Sequence, residues 1–82
     1  MKVKVFSVLD SKLGSFAQPW FSPNTETGIR AFVEAARDPS TTLGKYPEDF
    51  SLYLLGEFDD DTGQFTQSTP TSLGTAASFK RD

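Results

Sequence analysis

The chain predicts an α+β fold, a small antiparallel sheet of three or four strands with one helix packed on one face, in the order β-β-α-β-β. Three observations predict it. Lys2, Val3, Lys4 and Val5 alternate charge with apolar side chains, the period of a strand. Ile29, Phe32, Val33 and Ala36 recur at i, i+3, i+4 and i+7, the stripe of a surface helix. A mostly apolar run from Phe50 to Phe58 then meets an acidic turn containing Gly63 and returns through Phe65.

Each element has a local cause. The first strand covers residues 2–9, and Asp10, Ser11 and Gly14 supply the turn after it. Residues 16–21 form a short extended piece whose Pro19 cannot donate to a ladder, which places it at a sheet edge or outside the sheet. A Ser22, Asn24 or Thr25 oxygen caps the helix, with Glu26 in the first turn facing the positive end of its dipole. Arg30, Glu34 and Arg37 face away from the stripe, and Asp38-Pro39 stops the helix, because proline disfavours helical geometry in the residue before it. The run from Phe50 is apolar on both alternations, as in a central strand that pairs with the first. Residues 59–63 turn it into an antiparallel partner at residues 64–67.

One domain is expected over residues 1–67, followed by a C-terminal tail, 68–82, that docks loosely or is partly disordered. Ser, Thr, Gly and Ala dominate there, with Lys80 and Arg81 near its end. The lysines interrupting the N-terminal apolar run argue against a signal peptide or a membrane span, so the chain is expected in the cytosol without membrane contact. At 82 residues a chain buries only about 60 to 65% of the surface its unfolded form exposes, which makes a homo-oligomer attractive as added buried area.

Composition excludes more than it assigns. Without Cys or His there are no disulfides, no thiolate or imidazole metal ligands and no side chain titrating near neutrality. Catalytic residues, cofactors and a metal are therefore all expected to be absent. Asp61-Thr62-Gly63 matches the aspartic-protease tripeptide, but that chemistry needs a shielded carboxylate pair, whereas Asp59 and Asp60 keep this turn solvated. Asp59, Asp61 and Gly63 also imitate part of a calcium loop, yet the twelfth position, where a glutamate should close it, is Pro70. A plain hairpin turn accounts for all of these residues.

The aromatic content is high: eight Phe, two Tyr and one Trp. Phe16, Trp20 and Phe21, with Lys2, Lys4 and Lys12 nearby, make the candidate nucleic-acid surface, since rings beside cations are how single strands are stacked. Against that stands the need of a small domain for large side chains in its core or in a dimer seam. A formal charge of −3 also provides no global field to gather polyanions.

Val5-Phe6-Ser7-Val8-Leu9-Asp10-Ser11-Lys12, the segment from Gly28 to Pro39, Tyr46-Pro47-Glu48-Asp49-Phe50-Ser51-Leu52-Tyr53, Gly56-Glu57-Phe58-Asp59, Thr62-Gly63 and Thr71-Ser72-Leu73-Gly74 together resemble the small non-structural protein of gokushoviruses, single-stranded DNA bacteriophages of the Microviridae. The resemblance runs in order along nearly the whole chain. It implies a non-structural protein made in the host bacterial cytoplasm, absent from the mature virion, and acting in viral DNA replication, single-strand synthesis or packaging. It carries no catalytic or base-reading residue onto this sequence. Single-stranded DNA, the phage replication initiator and procapsid proteins are the partners it suggests. The alternative is a protein-interaction module, an adaptor or host-directed inhibitor that never touches DNA.

Overall fold

A computed structural model describes residues 1–80, and for Lys80 its backbone only. The elements in chain order are strands β1 (Lys2–Asp10), β2 (Ser15–Phe16) and β3 (Trp20–Ser22), helices α1 (Thr25–Arg37) and α2 (Thr42–Lys45), a single 3₁₀ turn (Pro47–Asp49), strands β4 (Phe50–Asp59) and β5 (Gln64–Thr75), and helix α3 (Ala76–Lys80). The sheet is antiparallel, with β1 and β4 central, β5 along one edge, and β2 and β3 sharing the other edge of β1. The sheet-plus-helix architecture thus matches the expectation, whereas the element order does not.

Five strands and three helices, among the described residues, replace the expected three or four strands and one helix. The extended piece at residues 16–21 divides at Ala17–Pro19 into β2 and β3, and the proline falls in the gap, where no ladder donor is needed. The expected boundary at residue 67 lies inside β5, which continues to Thr75. Gly56 pairs with Gln67 and Leu54 with Thr71, so Ser68, Thr69 and Pro70 bulge opposite the single residue Leu55. The Ser-Thr-Pro composition that reads as the start of a tail is this bulge, beyond which Thr71–Thr75 pairs with the first half of β4. Helix α3 then returns over the sheet and buries Ala76 completely. Arg81 and Asp82 of the expected tail lie outside the described residues.

Helix α1 begins where the sequence places it: the Asn24 side chain accepts from the Thr27 N–H at 2.8 Å and satisfies one of the orphan donors of the first turn. Its end is Asp38, held extended at φ −89° and ψ 110° ahead of Pro39. Gly28, Phe32 and Ala36 form the buried line of α1, with Ile29 half-buried beside it. Gly28 is on that line because Phe6 lies directly beneath it; a Cβ there would come within 2.3 Å of the ring. The core is Phe6, Phe32, Ala36, Phe50, Leu52 and Ala76, enclosed between the sheet and α1 and α3. Phe79 of α3 meets Phe32 edge-on, with ring centroids 5.9 Å apart.

Three carboxylates are held below their ordinary pKa values: Glu57 by the Lys4 ammonium, Asp59 chiefly by the Asp61 backbone N–H, and Asp38 by the Ser40 hydroxyl and N–H. A carboxylate with a depressed folded-state pKa stabilises the fold above its unfolded value, and that stability is lost as pH falls through the folded value. The urea midpoint is therefore expected to drop as pH is lowered through and below the ordinary carboxylate range. Lys4→Gln should remove the Glu57 share of the drop; an identical pH profile for the variant would refute that share.

Candidate functional site

Pairing assigns each residue to one face of the sheet. Phe6 and Val8 of β1, with Leu54 and Leu52 opposite them on β4 and Phe50 two residues before Leu52, point into the helix-covered core. Val3, Val5, Ser7 and Leu9 point the other way, and among the described residues no helix covers that side. Across from them stand Phe58, Gly56, Tyr53 and Ser51 on β4, Phe21 opposite Val5 on β3, and Phe16 opposite Leu9 on β2. Phe65 of β5 pairs with Phe58 and continues the same face.

Five aromatic rings therefore share the uncovered face in two groups. Phe21, Phe58 and Phe65 form a row across the strands, with centroids 5.5 Å from Phe21 to Phe58 and 4.9 Å from Phe58 to Phe65. Phe16 meets Tyr53 edge-on at 5.1 Å. Phe65 is 61% exposed, Phe21 48% and Phe16 43%, unusual values for rings that form ordered contacts. Val5 is buried beneath them, and the Ser7 hydroxyl donates to the Ala17 carbonyl at 2.6 Å, fixing the loop between β2 and β3 against the sheet. A cavity of about 150 Å³ opens beside Phe65, lined by Val5, Leu55, Gly56, Glu57, Thr66 and Gln67.

Of the six sequence-predicted residues, the structure brings two, Phe16 and Phe21, onto this face. Trp20 is on the opposite side, stacked on Phe6 at 5.8 Å against the core, since one step along a strand reverses the side chain. Lys4 is also on the opposite side, ion-paired with Glu57. Lys2 is exposed near the start of β1, and Lys12 is exposed in the turn after its end. The six do not form one surface.

Phe58, Phe65 and Tyr53 are the residues that sequence reasoning misses. Tyr53 and Phe58 are five positions apart, which on a regular strand puts them on opposite faces. The irregularity in β4 between Leu54 and Gly56 shifts the alternation by one and places both rings on one side. Gly56 permits it, because a Cβ there would come within 2.3 Å of the Thr66 carbonyl oxygen. The remaining signal is the Phe58–Phe65 pair mirrored across the acidic turn.

That turn is exposed, with Asp61 79% accessible, and Asp60 accepts from the Met1 ammonium at 2.8 Å. The carboxylates of Asp59, Asp60 and Asp61 lie within 4.8 Å of one another. An exposed hairpin turn whose charge that ammonium offsets in part accounts for the arrangement, and among the described residues nothing shields Asp61 as protease chemistry requires.

Comparison with known proteins agrees with the sequence resemblance. The chain is 33% identical over 69 residues to Protein ORF5 of Chlamydia phage 1, an alignment covering 79% of this chain and 72% of that protein. No solved structure matches the chain. Residues 3–79, nearly its whole length, match the family described as Phage ORF5 protein, and the chain belongs to that family.

Proposed function

We propose that this phage protein is a non-enzymatic accessory factor of viral DNA replication, single-strand synthesis or packaging, and that it holds single-stranded DNA across the uncovered face of its sheet. It acts in the host bacterial cytoplasm and is not carried in the mature virion. The observation supporting this reading is the set of five rings on one side of the sheet, three of them substantially exposed. Every base has a π-face, so rings on a sheet hold a strand whatever its sequence.

Four strand widths of about 4.8 Å and a β1 length of about 30 Å bound a face on which a few nucleotides fit. Cations are sparse: Lys4 is committed to Glu57, Lys2 shares the side of β1 that Lys4 occupies, and Lys12, exposed in the turn at the far end of β1, is the lysine of the three that can meet a phosphate of a strand laid along the uncovered face.

Fluorescence anisotropy with a labelled oligonucleotide is expected to show binding at low salt. The log–log dependence on salt should be shallow, about −1 or less in magnitude, because only about one phosphate is neutralised. No binding at low salt would refute the reading. The uncharged character of the aromatic face supports a second one, contact with the replication initiator or a procapsid protein without DNA; capture of one of those phage proteins together with a null titration would establish it.

A further inference from the structure

Strand β5 is the open edge of the sheet, and its first four residues lack the usual protection of such an edge. Natural edge strands discourage pairing with charged side chains, above all lysine, with proline, or with bulges. Residues 64–75 contain no charged residue, in a chain of which 23% is charged. Pro70, the Ser68–Pro70 bulge and a second irregularity at Leu73 interrupt the strand from its middle onward. Gln64, Phe65, Thr66 and Gln67, before that bulge, form a regular ladder with β4 on one side and present their remaining backbone groups outward. The aromatic row is truncated at this edge: it crosses from Phe21 to Phe58 to Phe65 and stops at its most exposed ring.

We propose that a second copy of this chain pairs antiparallel with Gln64–Gln67 of β5, joining two sheets edge to edge into one. A two-fold axis through this segment places the same neutral strand opposite itself, so no like charges meet. Both Phe65 rings then fall on the same face near the axis, and two rows of three rings become one row of six. The outer side of Phe65 is covered by its counterpart, the bulge at Ser68–Pro70 ends the pairing, and because the two-fold contact uses the β5 edge of both copies the assembly closes at two instead of growing into a fibre. The pairing requires no DNA and stands or falls independently of the DNA reading.

Sedimentation velocity of the full chain without DNA, from roughly 5 to roughly 500 µM, is expected to show a concentration-dependent shift from the 9.0 kDa protomer to twice that mass. Thr66→Lys introduces a charge next to the axis in each copy, where Glu57, its cross-strand neighbour, is already engaged by Lys4. It should hold the protein at protomer mass over the same range, while the neutral, β-branched Thr66→Val keeps the dimer. Thr66 is exposed and outside the core, and circular dichroism checks that both variants fold. A wild-type protein that stays a protomer throughout, or a folded Thr66→Lys variant that still dimerises, overturns the proposal.

Discussion

Phe32→Ala is expected to lower the thermal midpoint by roughly 15 to 30 °C and to leave little folded protein near 37 °C. Phe32 is 2% exposed at the centre of α1 and touches Phe79 of α3, so it joins both helices to the sheet. Truncating a buried Phe removes its transfer energy and leaves a cavity, together about 3 to 5 kcal/mol. A domain of this size has about 4 to 12 kcal/mol in total, and each kcal/mol moves the midpoint by roughly 4 to 8 °C. Little else can compensate, because the chain has no Cys and hence no disulfide. Calorimetry of the variant measures the effect; a midpoint within a few degrees of wild type would mean that α1 does not close the core.

The second large effect is on binding. Phe65→Ala is expected to weaken oligonucleotide affinity by about 5- to 150-fold, the equivalent of about 1 to 3 kcal/mol for one lost stacking ring. Phe65 is 61% exposed, so its removal disturbs the fold far less than the loss of Phe32, and binding and stability separate cleanly in this variant. Trp20→Phe provides the contrast. Trp20 is the ring that composition would choose first for stacking, yet it packs on Phe6 on the helix side, and its conservative replacement should leave affinity unchanged. A large loss of affinity for Trp20→Phe with none for Phe65→Ala would place the binding surface on the wrong side of the sheet.

How far the sequence carries depends on the range of the interaction that decides each element. The extent of α1 is legible from Asn24, the Ile29–Phe32–Ala36 stripe and Asp38-Pro39, because caps, periodicity and the proline effect act within a few residues. The hairpin after Asp59 is equally local, and Gly63 adopts the positive φ of 76° that the turn requires. The aromatic face is not local. Its membership depends on the parity of each strand, and one irregularity at Leu54–Gly56 reverses the side on which Phe58 emerges relative to Tyr53. That irregularity is set by pairing with residues distant in sequence, so counting along β4 misplaces the ring. Trp20 and Phe21 differ by one step and are separated for the same reason: only their register with Phe6 and Val5 determines which one faces the core. The bulge at Ser68–Pro70 shows a further limit, since its residues are those of an ordinary turn and only continued pairing beyond them makes them part of a strand.

The central claim is that the helix-free side of the sheet is the working surface. Backbone amide shifts of the isotope-labelled protein, followed while a short single-stranded oligonucleotide is added at low salt, test it most directly. Perturbations gathered at Val5, Phe16, Phe21, Tyr53, Phe58 and Phe65 are the result this account predicts. Perturbations centred instead on the outer residues of α1, Arg30 and Glu34, or a spectrum that does not move at all, would contradict it.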